Sequence, residues 1–195
     1  YFRVYVQSDA VWIEDVGEVG EATFQALRKF LLYGTKAKME NCAESWGLLL
    51  VSGPKSAEVV SAAFGVEVER LQLLQTIQTT VGGQPALIMR TEETGEQDLE
   101  ILMPADGLTA AWNQLMTAGA PLGATPVGSH ARELLRIEAG LAKAGPDLNE
   151  EIVPPEANLE GKAFSLSKGC YPGQEVVARM DTYGNVRRHL VGLLI

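Results

Sequence analysis

Cysteine and histidine are scarce. Only Cys42, Cys170, His130 and His189 occur in 195 residues, and neither pair stands at metal-ligand spacing, so a zinc site built by this chain alone is not expected. Positive charge is also short, with 16 basic residues against 25 acidic ones and a net charge of −9, which argues against nonspecific binding along nucleic acid or anionic membranes. A local basic pocket stays compatible with that balance. No apolar run approaches the roughly 20 residues a membrane span needs. The start shows neither a charged leader nor a small-residue cleavage site, so the expected location is cytoplasmic. No segment is of low complexity. With 46% hydrophobic residues, the composition describes a soluble globular protein of one large or two small domains.

Hydrophobic periodicity outlines the elements. Phe2 to Val6 and Val11 to Val16 alternate as strands around a Gln7-Ser8-Asp9 turn, and Phe24, Leu27 and Leu31 form a helical stripe closed by Gly34. Ala37 to Asn41 and Trp46 to Val51 predict two more strands, Ser52-Gly53-Pro54 a break, and Ala57, Val60 and Phe64 a second helix. Gln75 to Val81 and Pro85 to Met89 flank Gly82-Gly83, a hairpin signal, while Leu99, Ile101 and Met103 alternate as a half-buried strand. Leu108, Ala111, Trp112 and Leu115 make a further helix ending at Gly119. Hairpins punctuated by helices predict an α+β fold of antiparallel sheets with packed helices, divided between about residues 66 and 76. Gly145-Pro146 through Pro154-Pro155 is the one long irregular stretch, a functional loop or a plain connector. The chain opens in a strand-like run, Tyr1 to Val6, and closes in another, His189 to Ile195, so a fragment of a longer protein is expected.

Chemistry concentrates in Lys168-Gly-Cys-Tyr-Pro-Gly-Gln-Glu-Val-Val-Ala-Arg179. Gly169 and Gly173 bracket Cys170-Tyr171-Pro172, and glycine and proline together suit a rigid loop that presents the thiol. Lys168, two residues from Cys170, favours the thiolate, the form that attacks electrophiles or binds metal. The bland alternative, a small buried hydrophobic cysteine, stands beside it on equal footing.

A second signal is Glu138. Ala131, Leu134 and Leu135 share a helical stripe whose next position is Glu138, so this carboxylate is solvated at a helix end, paired, or lining a pocket. Gly140 just beyond favours the solvated end. The remaining candidates read as structural: His130 as a helix start, His189 in a strand-like run, Trp12, Trp46 and Trp112 as core, and Cys42 in a strand. Glu14, Asp15, Glu18 and Glu21 read as a solvated edge and helix start.

The cysteine string resembles the signature of the YgfZ family of folate-binding proteins: Lys-Gly-Cys-Phe/Tyr-x-Gly-Gln-Glu and, after three more residues, Arg. Every defined position is met. Leu135-Arg-Ile-Glu-Ala-Gly140, Gly145-Pro-Asp-Leu148 and Pro154-Pro-Glu-Ala-Asn-Leu159 are similar to further landmarks of that family and of its relative, the glycine cleavage T-protein (aminomethyltransferase). The resemblance implies a T-protein-like folate-binding fold, with a ferredoxin-like ββαββα subdomain over residues 1–72. It implies a second α+β domain over 73–195 that carries the signature. The family's N-terminal segment and C-terminal β-barrel would lie outside this sequence.

It further implies tetrahydrofolate or a one-carbon derivative as cofactor, with Glu138 facing the pterin edge, Arg179 as a pocket cation and Tyr171 packed on the ligand. For Arg179 an ordinary surface salt bridge, and for Tyr171 a core position, stay open. YgfZ-like proteins support assembly or repair of iron-sulfur enzymes, so iron-sulfur client proteins are the implied partners. The T-protein branch would instead imply aminomethyl or one-carbon transfer. That branch carries an Asn-Ala-x-Asn stretch followed by Lys-Asp, whereas the corresponding region here reads Ile13-Glu-Asp-Val-Gly-Glu-Val-Gly-Glu21, without the Lys-Asp pair. Conventional turnover is therefore not expected. Cys170 could ligate iron transiently, exchange disulfides with a client, or react with a folate-borne carbon unit.

Overall fold

Two antiparallel sheets and five α-helices are present among the residues that the computed structural model describes, namely 1–15, 19–184, 186 and 188–193. Strands β1 (Phe2–Val6) and β2 (Val11–Asp15) form a hairpin in which Val4 faces Ile13 and Tyr5 faces Trp12. Helix α1 (Gly20–Arg28) follows and buries none of its residues. Then come β3 (Trp46–Ser52) and α2 (Ser56–Phe64), the strands β4 (Thr76–Val81), β5 (Gln84–Thr91) and β6 (Asp98–Pro104), and helix α3 (Leu108–Gly119). The last two helices are α4 (Ser129–Glu138) and α5 (Gln174–Tyr183).

The larger sheet has the order β3-β6-β5-β4, every neighbour antiparallel. Gly82 and Gly83 turn β4 into β5 with φ of 59° and 82°, the pair of positive values a tight hairpin needs. Because successive strand residues point to opposite faces, Ile88, Leu99, Ile101 and Met103 meet Val60 of α2 and Ala111 and Leu115 of α3 in the main core. On the opposite face Leu87, Met89 and Leu102 pack with Tyr5 and Trp12 of the hairpin. Both faces of the sheet are thus covered. This explains why the pattern of β6 is nearly all buried, where simple alternation predicted one face in water.

The division expected at residues 72/73 runs through this sheet, since β3 pairs with β6. The chain separates instead into Phe2–Arg136 and a second unit of Tyr1 with Ile137–Ile195. Residues 37–41 form no strand; Ala37 and Met39 among Lys38, Glu40 and Asn41 offer too little apolar surface to bury, and most of the segment is exposed. Residues 189–193 are likewise not in a strand, and Ile195 lies outside the described residues, as do Val16 and Glu18. Trp112, expected in the core, lies on the outer flank of α3 and is 41% exposed. Among the described residues, no helix is long and apolar enough to cross a membrane.

The unit from Ile137 onward has its own small core, in which Ala157, Leu159, Phe164 and Val177 are buried against Leu148 and Ile152. Glu156 ties its loops together. Its carboxylate accepts the Val153 amide at 3.2 Å and bonds from Arg188 Nε and Nη2 at 3.0 and 3.1 Å. The hydrogen bond from Arg188 holds the Glu156 carboxyl below the usual carboxylate range, helped by the Val153 amide. The irregular stretch from Gly145 to Pro155 is part of this unit and ends in a short 3-10 turn, Pro154–Ala157.

Candidate functional site

The cysteine segment does make an exposed turn. Lys168, Gly169, Cys170, Pro172 and Gly173 are all exposed and Tyr171 is half-buried. Of the two bracketing glycines only Gly173 takes a left-handed conformation, φ 85°, and it does so as the residue that starts α5. The turn is therefore anchored on a helix unmarked in the sequence analysis, α5, whose Val177 is buried in the small core. Cys170 is a free, exposed thiol, which removes the buried-hydrophobe alternative. Lys168 sends its Nζ over the Tyr171 ring, 4.6 Å from the centroid. Tyr171 Oη is buried and finds no hydrogen-bond partner among the described residues.

The other two residues expected to serve the cofactor are placed differently. Arg179 lies on exposed α5 and pairs with Glu175 one turn back at 2.5 Å, its ordinary surface role. Glu138 is the last residue of α4 and is exposed, the solvated helix end that Gly140 favoured. Lys168, Cys170 and Tyr171 are thus brought together, whereas no contact joins Glu138 or Arg179 to them among the described residues. A concavity of about 340 Å³ in the same unit is lined by Asn158, Phe164, Leu166, Val177 and His189, among others. None of the five expected site residues lines it. No group of three or more histidine, cysteine or acidic side chains is arranged to hold a metal ion among the described residues.

Cys42 is half-buried beside its own loop, outside any strand. Burial, then the Glu40 charge, pushes its thiol up. Glu14 departs most from the sequence reading. Instead of forming a solvated edge, it accepts Arg3 Nη1 at 3.1 Å and the Tyr5 hydroxyl at 2.9 Å, beneath the hairpin. Arg3, Tyr5, Glu93 and Glu100, which complete that buried cluster, carry no motif. The one sequence signal was Glu100, a carboxylate inside the apolar run Leu99 to Met103.

A family model for the GCVT N-terminal domain matches residues 5–166. The chain belongs to that family. Among curated relatives, the aminomethyltransferase of Prosthecochloris aestuarii is 33% identical over 159 residues, which cover 81% of this chain and 43% of that protein. The aminomethyltransferase of Caldanaerobacter subterraneus subsp. tengcongensis is 32% identical over 158 residues, covering 80% and 42%. The crystal structure of glycine cleavage system aminomethyltransferase T from Bartonella henselae superposes with a TM-score of 0.64 at 25% identity. It covers 80% of this chain and 40% of that one. Heterotetrameric sarcosine oxidase from Corynebacterium sp. U-96 shares the fold, with a TM-score of 0.51 at 20% identity over 65% of this chain and 64% of that one. The chain therefore spans about two fifths of the length of the aminomethyltransferases it matches. The α+β architecture and the kinship with the T-protein stand on these matches, and the family-model match stops two residues before Lys168.

Proposed function

We propose that this chain is part of a tetrahydrofolate-binding accessory protein of the YgfZ type, which supports assembly or repair of iron-sulfur enzymes in the cytoplasm. The observation that carries the reading is Cys170, an exposed thiol in a turn that meets every defined position of the signature Lys-Gly-Cys-Tyr-x-Gly-Gln-Glu, within a member of the GCVT family. The exposure of the thiol on a helix-anchored turn supports the reading, since a partner protein needs access to it. One cysteine cannot hold a cluster that needs four thiolates, so any iron ligated there takes its other ligands from the client or from a small thiol. Lys168 and Tyr171 shape the turn, and Glu138 and Arg179 are the residues proposed to recognise folate. Glu138 would accept the paired N–H groups of the pterin edge.

The names of the curated relatives favour a second reading, aminomethyl transfer to tetrahydrofolate. The missing Lys-Asp element speaks against it.

Calorimetric titration of the full-length protein with tetrahydrofolate tests the reading. Binding at micromolar affinity or weaker is expected, and Glu138→Gln should weaken it by about 1.5–3 kcal/mol, the worth of a charge-assisted hydrogen bond. Equal affinity in the variant would take Glu138 out of the site. No binding by the wild type would remove folate from the proposal.

A further inference from the structure

Beneath the β1–β2 hairpin three carboxylates converge on one guanidinium. Arg3 from β1 donates to Glu14 on β2 at 3.1 Å and to Glu93 in the β5–β6 loop, and lies 3.7 Å from Glu100 Oε2 on β6. Both terminal nitrogens of Arg3 are thus engaged elsewhere, and Glu100 Oε2 is buried without a hydrogen-bond donor among the described residues. The Glu100 side chain is 7% exposed.

The buried Glu100 carboxylate, beside the part-buried Glu14 and Glu93 and facing only the part-buried Arg3, costs several kcal/mol unless one carboxyl stays neutral. A protonated Glu100 meets that need, because its hydroxyl can donate to Glu14, which already accepts from Arg3 and Tyr5. We propose that Glu100 and Glu14 share one proton, and that this proton clamps the β1–β2 hairpin onto the larger sheet, so that the hairpin loosens as the pH rises from acid through neutral.

Among the described residues no other neighbour is seen to supply the missing charge. Arg132 on α4 reaches only Glu93, at 3.8 Å, and is half-exposed. Asp98, two residues along β6, is engaged with the Glu93 and Thr94 amides and the Thr94 hydroxyl. The residues paired with Glu100 on β3 and β5 are Leu50 and Met89, which carry no charge. Burial and the Glu14 charge together push the Glu100 carboxyl up to about 8, with Arg3 opposing them. The Tyr5 phenol is raised above its usual range by burial and by Glu14. Arg3 is held above the guanidinium range by Glu14 and Glu93, although burial opposes its charge. Both therefore keep their protons while Glu100 titrates.

A carboxyl raised in the folded state stabilises fully below the ordinary carboxylate value, and that contribution is lost as pH climbs toward about 8. The test is chemical unfolding of the protein at pH values from about 5 to 9, with amide exchange of β1 and β2 measured alongside. The Trp12 ring, 4.7 Å from Trp46 on β3, gives a fluorescence report of hairpin docking. In the wild type the unfolding midpoint should fall across this range. Protection of the hairpin amides should drop by up to about tenfold for each pH unit below about 8 and level off above it, after correction for intrinsic exchange. Glu100→Gln, which is neutral at every pH and still donates to Glu14, should abolish the slope. A flat wild-type profile, or a Glu100→Gln profile as steep as the wild type, overturns the proposal. If the variant fails to fold, carbon-13 titration of the wild-type Glu100 carboxyl decides. A midpoint near 8 supports the shared proton, and one near the ordinary 4.5 overturns it.

Discussion

Cys170→Ser is expected to fold with an unchanged Tm and bind tetrahydrofolate as the wild type does, yet fail to restore iron-sulfur enzyme activity in cells lacking the protein. The thiol is exposed, so replacing its sulfur should leave no cavity and no orphaned buried polar group. What disappears is the nucleophile or ligand itself, and a serine hydroxyl does not replace a thiolate near neutral pH. The same exposure predicts that Cys170 is alkylated in the native protein well before Cys42, whose half-buried thiol is pushed up by burial and by Glu40. Peptide mass spectrometry after short exposure to iodoacetamide reads both sites in one sample. Full rescue by Cys170→Ser would end the thiol's role. A Cys170 that resists alkylation until unfolding would show that the turn is not displayed as described.

Arg3→Met should cost about 3–5 kcal/mol of folding free energy, the usual result of removing one member of a buried ion cluster. Glu14, Glu93 and Glu100 would be left facing one another, with only the half-exposed Arg132 within reach of Glu93. The Arg3 side chain is 17% exposed, so solvent screens the loss only slightly. Equilibrium urea unfolding measures the change, and a difference below about 1 kcal/mol would mean the cluster is wetter than its geometry says. Combining Arg3→Met with Glu100→Met should recover part of the loss, since a neutral pair leaves less uncompensated charge.

Period and punctuation made much of the fold legible in the sequence. Strand-like runs marked β1 to β6, along with a strand at residues 37–41 that does not form, the Gly82-Gly83 pair marked its hairpin, and the stripe through Leu108, Ala111 and Leu115 marked α3. What stayed hidden depends on tertiary covering. Glu14 looked like a solvated edge because nothing in a sequence says that a hairpin folds its polar side down onto Glu100. The 72/73 boundary failed for the same reason, since strand order across a sheet is set by long-range pairing. At the candidate site, the glycines and proline around Cys170 announced an exposed turn, but helix α5 beneath it did not stand out. Its ten residues carry a weakly apolar face in which only Val177 is fully buried among those described. Glu138 and Arg179 were marked by motif alone, and their exposure shows how little a motif says about which surface a side chain meets.

Membership of the GCVT family leaves two chemistries to separate, and the most direct measurement is folate-dependent release of ammonia from an aminomethylated carrier protein by the full-length protein. With tetrahydrofolate bound and no Lys-Asp element between Ile13 and Glu21, the expected rate is that of the uncatalysed background. Sustained release well above that background would contradict the accessory role and place the protein with the transferases.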